Sequence, residues 1–71
     1  MKTINIQYHL YEYRMQKHLT ERKLSELSGI SKSEINSIEN NMKDPTVRTL
    51  CLLSLALDIS PDKLFSMEVI V

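Results

Sequence analysis

Glycine occurs once in the 71 residues, cysteine once, phenylalanine once, proline twice and tryptophan not at all. So little glycine and proline argues against a turn-dense β-sandwich, where strand reversals draw on these residues. A single cysteine excludes an internal disulfide framework and fits a reducing compartment. An excess of one charge is missing too, since nine Lys and Arg balance nine Asp and Glu. That balance weighs against a purely electrostatic nucleic-acid binder, although it leaves the placement of the charges open. There is no long hydrophobic run. The most apolar stretch, Leu50-Cys51-Leu52-Leu53-Ser54-Leu55-Ala56-Leu57, lies between Arg48 and Asp58 and is far short of the ~20 residues of a membrane span. Met1-Lys2-Thr3-Ile4-Asn5-Ile6-Gln7 lacks the apolar segment of a secretory signal. These readings predict a cytoplasmic protein of one domain, 1–71, without membrane association. A single core of this size seldom supplies more than ~3–5 kcal/mol, so support from a partner subunit would be unsurprising.

Alternation of Ile4 and Ile6 predicts a short strand over 2–6, and the β-branched tail Met67-Glu68-Val69-Ile70-Val71 predicts another over 67–71. The two could pair with each other or with the same strands of a second chain. Everything between them reads as helical. A first helix from about Gln7 to His18 places Leu10, Tyr13 and Arg14 on one face. Thr20 is an N-cap for a second helix through about Ser28, anchored by Leu24 and Leu27. The only glycine follows, at Gly29, where a helix end often needs a positive φ. Ser31 and Glu34 have the S-x-x-E spacing of a capping box and open a third helix with Ile35 and Ile38 as its buried stripe. Asp44-Pro45-Thr46 leads into a fourth helix ending near Leu57. Ser60-Pro61 opens a short fifth one carrying Leu64 and Phe65.

A helix, a short glycine-containing turn and a second helix make up a helix-turn-helix, here over about 20–41. In such a unit one helix crosses the DNA backbone and the next lies in the major groove with its N-terminal side chains at the base edges. The groove-facing positions must be polar and the inward ones apolar. Lys32, Ser33, Asn36 and Ser37 meet the first condition, Ile35 and Ile38 the second. Lys donates to guanine, Asn bonds adenine bidentately and Ser serves either role. Helix N-termini suit phosphates.

The run from Leu19 to Asn41, with Gly29-Ile30-Ser31 and then Ile38-Glu39-Asn40, resembles the phage repressor/Cro-type (XRE-like) helix-turn-helix family. The likeness continues through Lys43-Asp44-Pro45-Thr46 to Leu64-Phe65 and covers about 10–65. It implies an all-α, five-helix, lambda-repressor-like DNA-binding domain, here with short terminal strands. It implies base reading by Lys32, Ser33, Asn36 and Ser37, with a phosphate as the alternative contact of Asn36, and DNA backbone contact by Asn40 and Lys43. Thr20, Arg22 and Lys23, where the second helix begins, are further backbone candidates. The likeness also implies an ion pair between Arg14 and Glu39 that joins the first and third helices. Two positions depart from the family pattern. Glu21 stands where Gln is usual, a negative charge where phosphate approaches, and Asn41 stands where Gly is usual.

Leu52 and Leu55 lie off the expected core face of the fourth helix, which comprises Leu50, Leu53, Ala56 and Leu57. Family members commonly carry charge at those two positions. Exposed leucines there would mark an association surface, and we expect a homodimer with Leu52, Leu55, Val69 and Val71 at its interface. No nucleophile motif, glycine-rich phosphate loop or metal-ligand spacing occurs, and His9, His18 and Cys51 are too scattered for zinc. The sequence therefore predicts a non-enzymatic transcriptional regulator without cofactor, metal or small-molecule ligand. It would bind double-stranded DNA as a homodimer on a palindromic operator, acting as a repressor. An antitoxin-like module that binds a protein partner, with weak DNA binding, is the competing expectation.

Overall fold

The computed structural model describes residues 2–70. Strand β1 (Thr3–Tyr8) leads into α1 (Leu10–Gln16), α2 (Glu21–Ser28), α3 (Lys32–Glu39) and α4 (Val47–Leu57), and β2 (Phe65–Ile70) ends the order. The two strands form an antiparallel ribbon within one chain, with Thr3 opposite Ile70, Ile6 opposite Met67 and Tyr8 opposite Phe65. Among the described residues no helix is long and apolar enough to cross a membrane.

Local chemistry explains most helix boundaries. Thr20, Ser31 and Thr46 are extended N-caps whose hydroxyls accept from the backbone N–H three residues on, at Lys23, Glu34 and Thr49. Each satisfies a donor that the helix start leaves orphaned. Gly29 closes α2 with φ +78° and donates its N–H to the Ser25 carbonyl. A Cβ there would meet nothing within 4 Å, so glycine is favoured by the dihedral and not by space. Asn41 also adopts a left-handed conformation, φ +57°, and thus fulfils the backbone requirement for which the family uses glycine.

The core is built from Leu10, Leu24, Ile30, Ile35, Ile38, Leu53, Leu57 and Leu64. Every helix contributes, and Ile30 in the turn between α2 and α3 adds a plug that fixes how the two helices meet. Four sequence expectations are corrected. The expected fifth α-helix is a single 3₁₀ turn, Pro61–Leu64. Only Leu64 of that segment is buried, because Phe65 already pairs with Tyr8 as the first residue of β2. The first helix starts at Leu10 and not at Gln7, since Gln7 and Tyr8 are claimed by the ribbon. Among the described residues the strands run over Thr3–Tyr8 and Phe65–Ile70, so the first continues past the expected 2–6 and the second starts before the expected 67–71. Finally, Leu27 is 52% exposed and Ser28 is buried in its place. Spacings of three and of four both continue a stripe from Leu24. The structure uses the smaller side chain, whose Oγ accepts from the Ile30 N–H at 3.1 Å.

Candidate nucleic-acid interface

The α2–turn–α3 unit is tied to α1 by an almost buried ion pair. Arg14 Nε donates to Glu39 Oε2 at 2.6 Å and Nη2 donates to Oε1 at 3.0 Å, a bidentate fork. A third bond runs from Arg14 Nη1 to the Leu19 carbonyl at 2.8 Å. The guanidinium also lies 5.4 Å from the centre of the Tyr11 ring, within cation–π range. One side chain thus links α1, the α1–α2 connection and the far end of α3. The Glu39 hydrogen bond raises the Arg14 pKa further above its ordinary value. Desolvation pushes the Glu39 carboxyl above the usual carboxylate value; Arg14 draws it back, and nearby Glu21 pushes it further up. The pair predicted between Arg14 and Glu39 is present and joins α1 to the last residue of α3.

The predicted reading residues occupy the outer side of α3. Lys32, Ser33 and Asn36 are exposed, while Ser37 is only half exposed. Lys32, Ser33, Asn36 and Glu21 line one open cleft of about 380 Å³. A neighbouring cleft of about 490 Å³ is lined by Arg14, Thr20, Glu21, Arg22 and Lys32. Glu21 and Lys32 belong to both, so they form the ridge between the starts of α2 and α3. Three of the four reading candidates and two of the five backbone candidates are brought together there.

Lys23, Asn40 and Lys43 line neither cleft. Lys23 pairs with Glu26 along α2 at 3.7 Å. Asn40 Nδ2 donates to the Asn36 carbonyl at 2.9 Å and so helps to close α3. Lys43 Nζ sits 3.7 Å from Glu34 Oε2, with both groups partly exposed. The Ser31 half of the capping box is therefore made, while the Glu34 carboxylate points to the loop lysine.

One contact went unread in the sequence. Asn36 Nδ2 donates to Glu21 Oε2 at 3.3 Å, bridging the first residue of α2 to the recognition helix. The unusual carboxylate at position 21 was visible, but its partner fifteen residues away is set by how α2 and α3 cross. The bond uses one of the two Asn36 amide N–H donors and leaves the other, with Oδ1, free.

This geometry is that of a helix-turn-helix DNA-binding protein. The helix-turn-helix family HTH_3 matches residues 10–64, and the chain belongs to that family. It is a DNA-binding regulator of the Cro/C1 type. Among solved structures it is similar to the restriction-modification controller protein C.AhdI from Aeromonas hydrophila. Identity is 31% over 78% of this chain and 83% of that one, with a TM-score of 0.75. It is 32% identical to the N-terminal DNA-binding domain of SinR from Bacillus subtilis, over 78% of this chain and 81% of that one, TM-score 0.74. A chain of the SinR/SinI complex matches at 32% identity over 78% of this chain and 54% of that one, TM-score 0.74. No curated protein matches.

Proposed function

We propose that the chain is a sequence-specific transcriptional repressor that binds a palindromic operator as a homodimer and acts by occupancy, without catalysis, cofactor or small-molecule effector. The observation that carries this reading is the exposed trio Lys32, Ser33 and Asn36 at the N-terminal end of α3. The turn holds that end, and the Arg14–Glu39 fork holds the opposite end of the same helix. Lys32, Ser33 and Asn36 read bases, with Ser37 at the edge of the reading surface. Thr20, Arg22 and Lys23 at the α2 start, with Asn40 and Lys43 after α3, take phosphates. For Lys43 this means exchanging Glu34 for a DNA phosphate. The two protomers present their recognition helices about 34 Å apart, one turn of DNA. Leu52 and Leu55 on α4 and Val69 on β2 are 36%, 77% and 48% exposed and available to a partner. Val71, assigned to the same interface, lies outside the described residues.

The test is selection of bound duplexes from a random pool at near-physiological salt, followed by sequencing. An enriched inverted repeat is expected. Recovery of unbiased sequence would overturn the reading.

Glu21 carries a second expectation. Removing its charge with Glu21→Gln takes an anion away from the approaching phosphates while keeping a side chain that can still bond Asn36. Affinity for duplex DNA should rise about two- to fivefold at low salt, and the gain should shrink as salt increases. Titrations of both proteins at two ionic strengths check this.

A protein-partner-binding role is favoured by one observation, the apolar ribbon and α4 surface described below. Salt separates the two readings. Binding through several phosphates weakens steeply as salt rises, whereas an apolar contact does not.

A further inference from the structure

The register of the ribbon sorts its side chains by polarity. Opposite residues of an antiparallel pair share a face, so Ile4 with Val69, Ile6 with Met67 and Tyr8 with Phe65 make one face wholly apolar. The other face carries Thr3, Asn5, Gln7, Ser66 and Glu68, with Ile70 as its only apolar member. Residues 3–7 and 66–70 are all exposed, and the molecule is elongated, 41 × 21 × 20 Å. A two-stranded ribbon with an uncovered apolar face is marginal in water.

Beside this face, Val47, Cys51 and Leu55 follow one another at four-residue intervals along α4, on one side of the helix. Val47 and Leu55 are each 77% exposed. Between ribbon and helix runs a groove of about 290 Å³, with Ile6, Tyr8 and Phe65 on one wall and Val47, Leu50 and Cys51 on the other. Around the groove, Ile4, Met67, Val69, Val47 and Leu55 are each about half to three-quarters exposed, so ridge, groove and stripe form one apolar surface and not scattered surface hydrophobics.

We infer that a second copy of this chain covers this surface, so that the dimer is closed by the apolar ribbon face and the Val47–Cys51–Leu55 stripe. The inference rests on the dimeric reading above and moves its centre. Leu52 lies ~100° round the helix from Cys51 and falls outside the interface, while Leu55 and Val69 remain inside. Three features favour a like partner. The surface carries both a ridge and a groove, so a two-fold axis can seat each ridge in the other protomer's groove, the self-complementarity an isologous interface requires. No ionisable acid or base among the ribbon-face and stripe residues other than the Tyr8 phenol and Cys51 thiol selects a partner of opposite charge. The chain's zero formal net charge lets two copies approach without long-range repulsion.

Sedimentation of the intact chain at tens of micromolar tests this, alongside Ile6→Glu, Met67→Glu and Leu52→Glu. All three positions are at least 36% exposed, and circular dichroism confirms that each variant keeps its helices. A wild-type dimer is expected. Ile6→Glu and Met67→Glu should weaken it at least about thirtyfold, the effect of losing a central anchor, and Leu52→Glu should leave it unchanged. A readout that needs no variant uses the single cysteine. Alkylation of Cys51 by N-ethylmaleimide should slow as wild-type concentration rises through the dimerisation range. A dimer that survives both ribbon variants, or dissociates with Leu52→Glu alone, or leaves Cys51 equally reactive at all concentrations, overturns the inference while the dimeric DNA reader stands. A wild-type chain that sediments as a monomer overturns both the inference and the dimer.

Discussion

Glu39→Ala should lower the melting temperature by about 12–24 °C, the shift that ~3 kcal/mol produces in a domain of this size. The substitution leaves the Arg14 guanidinium in a site where its side chain is only 10% exposed, with the Leu19 carbonyl and the Tyr11 ring as remaining company. Stranding one member of a buried pair costs about 3–5 kcal/mol. The lower end applies here because neither side chain is fully sealed from water. Since a core of this size supplies only ~3–5 kcal/mol in all, the variant should be largely unfolded at modest temperature. Arg14→Ala should be similarly damaging, because it leaves the Glu39 carboxylate at 6% exposure without its fork. The double variant Arg14→Met with Glu39→Leu separates two causes. If the penalty is the stranded charge, replacing both partners by apolar groups should recover most of the stability. Thermal melts of the four proteins by circular dichroism decide it. A single variant that melts within a few degrees of wild type would show that the fork contributes little.

Asn36→Ala should weaken binding to a selected operator by about 1–3 kcal/mol, roughly tenfold to a hundredfold, and relax preference at one base pair. Its salt slope should stay unchanged, since no phosphate contact is lost. The folded state should hardly notice, because the Asn36 side chain is exposed and the helix-closing bond from Asn40 goes to its backbone carbonyl. With one Nδ2 hydrogen on Glu21, Asn36 keeps its second N–H and Oδ1, the donor and acceptor that a bidentate bond to adenine needs. Lys43→Ala is the contrasting variant. As a phosphate contact it should weaken all sequences alike and reduce the salt slope by about one. Titrations of both variants against the operator and a scrambled duplex, at several salt concentrations, distinguish base reading from backbone contact.

The parts of this fold that were legible in advance are those governed by a few neighbouring residues. A hydroxyl at Thr20 or Ser31 finds the N–H three residues on whatever the rest of the chain does. The dihedral at Gly29 is likewise a local matter, and so is the left-handed Asn41. The outward polarity of Lys32, Ser33 and Asn36 follows from helical periodicity once Ile35 and Ile38 point inward. Misreadings fell where two local solutions were equally good. Leu27 and Ser28 both continue the stripe from Leu24, and the local sequence offers no reason to bury the serine. Pro61 correctly announced a helical start, but its length was decided by Phe65 pairing with a residue near the opposite end of the chain.

By itself, then, the sequence determined the helix-turn-helix, its caps, the exposed polar face of α3 and the identity of the buried ion pair, because each rests on short-range geometry or on a family pattern dense enough to carry it. Only the tertiary structure decided that the terminal strands pair within one chain, in a register that gathers Ile4, Ile6, Tyr8, Phe65, Met67 and Val69 on a single face. It also decided that Glu21 engages Asn36 and that Lys43 engages Glu34. These contacts join residues on different elements. Their partners are chosen by helix crossing, loop path and strand register, which no local run of residues specifies.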